Sequence, residues 1–244
     1  MDERGVSEAL GFVLIFSLIL LMTGAIYTGG IGELKEVRDD QQVAGVERAF
    51  TAIGSDVTDV VRDGSPSRSS TIRLNDGTLT FGNQTWVNVT VDGERVNNSV
   101  TPLVYRLNGE PQLAYTAGMV TRSGGGGGWA VTTEPPVIAV GGSPHEAVFF
   151  PIVDLDGEGR VGGARAVTVQ TESGDGAILG ERRRGNPLDV NVTVTDTPRS
   201  AAWGRYLESA LDADCESIGE NAVGCDFEAR SFRTSFYTVE MSFS

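Results

Sequence analysis

The sequence predicts an α+β protein in which one long N-terminal helix, transmembrane at first and then amphipathic, carries a β-rich, sandwich-like extracellular domain. Three observations lead there. Ala9 to Ile31 is a run of 23 residues without a charge. A one-sided apolar pattern continues from it with no proline before Pro66. Beyond that proline, short alternating stretches recur between turn signals, the signature of strands with one buried face.

The first element is the uncharged run. As a helix it reaches about 34 Å, against a bilayer hydrocarbon core of about 30 Å. Phe12, Val13, Leu14, Ile15, Phe16, Leu18, Ile19, Leu20, Leu21 and Met22 place apolar groups on every side, which does not suit one face of a soluble domain. A secretory signal peptide is the competing expectation, with Thr23-Gly24-Ala25 as its exit site; its basic start is lacking and the apolar run is longer than such signals need. Next, Val46, Phe50, Ile53, Val57 and Val60 recur at steps of 4, 3, 4 and 3, with charged residues between them. Leu34, Val37 and Val43 extend that stripe backwards, and Gly29, Gly30 and Gly32 predict a kink between the two halves. Asp63-Gly64-Ser65-Pro66 supplies the stop, which sets the helical region at 6–64 and the β-rich domain at 65–244.

Within the second region, Thr71–Leu74 and Thr78–Phe81 flank Asn75-Asp76-Gly77, a hairpin signal, and Thr85–Val91 gives a third alternating strand. Further strands are expected over 103–107, 112–120, 129–133, 147–153 and 164–171. Ser200 is placed to cap a short helix bearing Trp203, Leu207 and Leu211, and Tyr237, Val239, Met241 and Phe243 alternate in a last strand.

Composition narrows the function. The 244 residues carry 19 Lys+Arg against 33 Asp+Glu, a net charge of −14, which argues against a nucleic-acid partner. Lys35 is the only lysine, and an acidic, lysine-poor surface suits a halophilic setting where salt screens carboxylate repulsion. Asn83, Asn88, Asn97 and Asn191 each begin an Asn-x-Ser/Thr glycosylation sequon. Cys215 and Cys225 are the only cysteines, and a disulfide between them implies an oxidising compartment. Sequons and disulfide together place the β domain outside the cytoplasm.

Catalytic and cofactor chemistry finds little support. Gly157-Glu158-Gly159-Arg160-Val161-Gly162 matches G-x-G-x-x-G, but a β-branched stretch follows where a phosphate-binding helix is required. Asp154-Leu155-Asp156-Gly157-Glu158 offers oxygen ligands without the rest of a calcium loop. His145 is the only histidine and has neither a second histidine nor a G-x-S-x-G elbow beside it. Arg182-Arg183-Arg184 reads as a solvated turn before Pro187. No catalytic residue, cofactor or metal site is expected.

Arg4-Gly5-Val6-Ser7-Glu8 ahead of the apolar run, followed by the long helix and a β domain, resembles the type IV pilin-like proteins of archaea. In particular it resembles the haloarchaeal secreted and surface glycoproteins with a pilin-type N-terminus. The resemblance implies a leader over residues 1–5, cut by a prepilin peptidase between Gly5 and Val6, with the apolar helix kept in the mature protein. It further implies that such helices pack together in a filament core, where Glu8 would find the free amine of Val6 in an adjoining subunit. Two features depart from the pattern: the leader contains Asp2 and Glu3, and Glu8 is third after the cut rather than fifth. The expected protein is a pilin-like structural or interaction subunit at the cell membrane, single-pass, with self-association and the peptidase as its partners. The alternative is a non-polymerising membrane-anchored envelope glycoprotein.

Overall fold

The computed structural model describes residues 3–124 and 127–244, with side chains described for 10–26 and from 41 onward except Pro111, Gly125, Gly126 and Arg184. The chain divides into two compact units, Met1–Ala44 and Gly45–Ser244. The division falls inside the first helix, α1 (Glu3–Asp63), so the last turns of that helix belong to the folded domain.

Two expectations are corrected at this level. Fourteen strands against two helices among the described residues make the protein mostly β, rather than α+β. And among the described residues no helix is long and apolar enough to cross a membrane, which overturns the single-pass topology at the cell membrane. The sequence expectation carried the apolar run through to Ile31; residues 27–31 of it lie outside the described side chains.

The second half of α1 follows the sequence pattern closely. Val46, Phe50, Ile53, Val57 and Val60 are all buried, and Gly54 lies on the same side, its Cα facing Val120 and Tyr115 with only ordinary van der Waals room. Of the proposed extension, Val43 is buried, while Leu34 and Val37 lie outside the described side chains. The helix stops as predicted: Gly64 takes a left-handed φ of 67°, and the Ser65 amide returns to the Asp59 carbonyl. On the flanks of the stripe Arg122 pairs with Glu47 at 2.8 Å and Arg68 with Asp59 at 3.2 Å.

The strands are β1 (Ser67–Arg73), β2 (Thr78–Phe81), β3 (Thr85–Val91), β4 (Glu94–Val100), β5 (Leu103–Leu107), β6 (Glu110–Thr116), β7 (Met119–Ser123), β8 (Trp129–Thr133), β9 (Ile138–Val140), β10 (Ala147–Asp156), β11 (Arg160–Gly162), β12 (Ala166–Thr195), β13 (Asp214–Gly219) and β14 (Ala222–Phe243), with α2 (Ser200–Leu211) before β13. They form two sheets. The larger runs β4-β3-β12-β14-β10-β9, with β1 added on β12 and β13 on β14; the smaller runs β11-β2-β5-β6-β7-β8. Pairing is antiparallel except between β10 and β14, which run parallel.

The smaller sheet is covered on both faces. Val104, Ala114 and Met119 join one buried cluster with Val87, Val89, Val192, Phe150 and Trp203 from the larger sheet and α2. Leu103, Tyr105, Leu113, Tyr115 and Val120 alternate with them, are equally buried and occupy the face that meets α1. The domain is therefore three layers: helix, sheet, sheet. This explains why β5 reads as a nearly continuous apolar run.

Several local expectations changed partner or extent. Asn75-Asp76-Gly77 does make a tight turn, with φ of 48° and 69° at the first two residues, but β1 pairs with β12 and β2 with β5 and β11. The turn carries the chain from one sheet to the other instead of closing a hairpin. Tyr105 enforces this: its hydroxyl donates to the Leu74 carbonyl at 2.8 Å, and its ring lies where a Cβ on Gly77 would fall, 2.3 Å away. The run over 112–120 is two strands, broken at Ala117-Gly118, both with positive φ. Asp92-Gly93 and Asn108-Gly109, also at positive φ, close the β3–β4 and β5–β6 hairpins. Arg182 and Arg183 lie within β12, not in a turn, and Arg182 forms an ion pair with Glu94. Ser200 is the first residue of α2; Arg199 precedes it as N-cap without a side-chain cap.

Replacing Gly77 by Ala is expected to destabilise the domain by about 1–3 kcal/mol, since the new methyl has to displace a fully buried tyrosine ring. Gly142→Ala, at an open position that, like Gly77, lacks a left-handed φ, is the control for the loss of glycine alone. Urea unfolding of both variants makes the comparison, and equal losses would show that Tyr105 does not enforce the turn.

Candidate interaction surfaces

Along the N-terminal helix, the described residues expose an unusual amount of apolar surface. Phe12 and Leu21 are each 71% exposed and Ile26 74%, with Leu14, Ile15, Phe16, Leu18, Ile19 and Leu20 all above half. At about 100° per residue these positions cover the whole circumference, so no single neighbour can shield them. Phe12 and Phe16, one turn apart, stack with ring centroids 6.1 Å apart. The predicted processing residues Gly5 and Val6, and Glu8, fall within the range of α1, but their side chains lie outside the described residues.

The cysteines behave as expected. Cys215 in β13 and Cys225 in β14 sit directly opposite each other and form a disulfide. Their hairpin packs against α2, where Gly204 lets Val223 approach to 3.1 Å of the position its Cβ would occupy.

The sequon asparagines divide by environment. Asn83 is exposed in the 82–84 connection between β2 and β3. Asn88 of β3 and Asn97 of β4 are direct cross-strand partners on the outward face; Asn97 is exposed, while the Asn88 Oδ1 is buried without a hydrogen-bond partner. Asn191 of β12 lies on the same face, half-buried, donating to Asp226 at 2.9 Å and accepting from Thr193 at 2.9 Å. Of the four, Asn83 and Asn97 are exposed, Asn88 and Asn191 are not, and the Asn191 amide nitrogen is already engaged by Asp226.

The residues weighed for catalysis are not brought together. His145 is 5% exposed, its Nδ1 3.1 Å from the Gly141 carbonyl and its Nε2 2.8 Å from that of Leu211, so both nitrogens bind backbone. Gly157-Glu158-Gly159 connects β10 to β11 and thereby the two sheets; a Cβ on Gly157 would come within 2.4 Å of Phe81 and 2.6 Å of the Met241 carbonyl. Glycine there is a packing requirement. Asp154 accepts from the Thr101 amide at 2.7 Å, and among the described residues no group of three His, Cys, Asp or Glu could hold a metal ion.

Two buried polar groups escaped the sequence reading. Arg199 is 5% exposed, stacked 5.5 Å over the Trp129 ring, and burial holds its guanidinium down to about 10. Tyr115 is 1% exposed, and burial raises its hydroxyl well above the ordinary tyrosine range, opposed by the Gly118 backbone. Neither stands in a motif, so only packing could reveal them.

Two measurements follow. Replacing both cysteines by alanine is expected to cost about 2–3 kcal/mol, because the bond closes a short loop in the unfolded chain; an unchanged denaturation midpoint would contradict it. The second concerns Asp154, whose carboxyl is pushed up chiefly by burial, opposed by the Thr101 amide. Its folded-state affinity for a proton exceeds the unfolded one, so its contribution is full below the unfolded value of about 3.9 and is lost as pH rises through the higher folded value. Asp154→Asn keeps an oxygen acceptor for Thr101 and cannot ionise. Its stability relative to wild type should therefore climb as pH rises above about 4 and then level off; a gap independent of pH would remove burial as the cause.

Compared with known proteins, no curated protein and no solved structure is significantly similar to the chain. A family model does match, over residues 4–243, and its description is a family of unknown function. The chain belongs to that family, DUF7289.

Proposed function

We propose that this protein is a pilin-like structural and interaction subunit, whose N-terminal helix associates with the same helix of other copies while the three-layer domain is displayed on the outside of the assembly. The observation that carries this is the apolar surface from Leu10 to Ile26, exposed on all sides of one helix. Each large aliphatic or aromatic side chain taken out of water is worth about 1.5–3 kcal/mol. A two-helix contact would cover one side only, so an arrangement of several copies around each helix satisfies it best.

In this scheme a prepilin peptidase cuts between Gly5 and Val6, and Glu8 pairs with the Val6 amine of a neighbouring copy. The Cys215–Cys225 disulfide supports an oxidising compartment for the domain. Glycans would be carried first at Asn83 and Asn97, the two exposed sequon asparagines. The acidic, arginine-rich composition supports a high-salt setting.

The test is the assembly state of the full chain in mild detergent, by analytical ultracentrifugation and negative-stain microscopy, with the mature N-terminus mapped by mass spectrometry. Species of several copies that disperse in Leu14→Asp/Leu18→Asp, together with a terminus at Val6, are the expected result. A monomeric wild type would replace assembly by the non-polymerising alternative, in which the domain alone meets a partner.

A further inference from the structure

The outward face of the β3–β4 hairpin carries an exposed tryptophan. Trp86 is 40% exposed, whereas Trp129 and Trp203 are 8% and 1% exposed and belong to the core. Its cross-strand partners are small and polar, Ser99 on β4 and Thr195 on β12. Among the described residues no second ring or cation packs on the indole. A bare aromatic face on a strand is apolar surface that the domain itself leaves uncovered.

The register of the hairpin sets a glycosylation sequon beside that ring. Asp92 and Gly93, with φ of 46° and 87°, form a two-residue turn, so Val91 and Glu94 are the hydrogen-bonded pair that flanks it. Alternation along an unbroken register then makes Asn88–Asn97 and Trp86–Ser99 successive non-hydrogen-bonded pairs on one face, where opposing side chains come closest. The right-handed twist turns Trp86 toward the β4 residue two places nearer the turn than its own partner. That residue is Asn97, diagonal to Trp86 with Cβ atoms about 7 Å apart or less. Asn97 is exposed, stands on an edge strand of the larger sheet and begins the sequon Asn97-Asn98-Ser99. Asn83, the other exposed sequon residue, lies off the strands in the 82–84 connection, where no such pairing fixes it.

We infer that a glycan on Asn97 folds back over the hairpin and rests its first sugar on the Trp86 indole, so that the modification covers this surface and stabilises the sheet edge. This rests on the reading above that the domain is glycosylated, and adds to it which glycan is held by the protein and by what. The face of a pyranose ring that presents C–H hydrogens, slightly positive, complements the negative face of an aromatic ring, as edge hydrogens do in aromatic pairs. In the transfer the Asn97 amide nitrogen bonds to the anomeric carbon of a lipid-phosphate-linked sugar. The bond from that carbon to the phosphate oxygen breaks, its electron pair leaves with the lipid phosphate, and the amide gives up one proton.

The full chain purified from its native membranes tests this, with occupancy of Asn97 read by peptide mass spectrometry. Asn97→Gln should lower the melting temperature of the domain by about 2–4 °C, the shift expected when a domain of this size loses one aromatic contact. The same change made in Trp86→Leu should have less than about half that effect, because groups in contact do not add. Trp86→Tyr, which keeps an aromatic face, should restore the dependence, and Asn83→Gln should leave the melting temperature nearly unchanged. Acrylamide quenching of tryptophan fluorescence should rise at least about 1.5-fold in Asn97→Gln as the exposed indole is uncovered, and should not respond to Asn97→Gln once Trp86 is leucine. An unmodified Asn97 peptide would overturn the inference together with the glycosylated reading of that site. An occupied Asn97 whose loss has the same effect with and without Trp86 would overturn the inference alone and leave glycosylation standing.

Discussion

The ladder between β12 and β14 is the constraint on which the rest of the domain depends. These are the two longest strands, and they pair antiparallel from Val169–Phe243 at one end to Val194–Val223 at the other. Three register shifts along β12 bend it enough for one strand to serve two partners on its other edge, β1 near its start and β3 near its end. On the far side, β14 takes β13 and then β10, the latter in the parallel sense. Four strands of the larger sheet are thus placed directly by one of these two, and β4 and β9 complete its edges on β3 and β10.

That ladder also fixes what surrounds it. Val190, Val192 and Val194 point into the common core with Trp203, Leu207 and Leu211 of α2, while Asn191 and Thr193 face outward. A slip of one residue would exchange the two sets and bury the Asn191–Asp226 pair. The disulfide ties β13 to β14 just where α2 docks, so the short helix, hairpin and ladder constrain one another locally.

What could be read in the sequence was whatever one segment decides for itself. The stripe from Val46 to Val60, the stop at Gly64, strand β3 and helix α2 are each set by periodicity or by a single turn residue, and they stand as expected. What could not be read was choice of partner. Asn75-Asp76-Gly77 has the chemistry of a hairpin turn, yet Tyr105, some thirty residues later in the sequence, decides that the turn changes sheets. The same limit hid the cleft beside the end of α1. Arg62, Pro136, Phe149 and Tyr115 come from four separate segments and share no motif; only the three-layer packing assembles them.

The two halves of α1 show how the same secondary structure can carry opposite solutions to one problem. From Gly45 to Asp63 the apolar residues keep to one side, so a single sheet face can cover them and charged residues occupy the rest. From Leu10 to Ile26 they occupy every side, which no face within one chain can cover. Helix propensity does not distinguish the halves; angular distribution does. The first half is therefore left, among the described residues, with an apolar surface that its own domain does not cover.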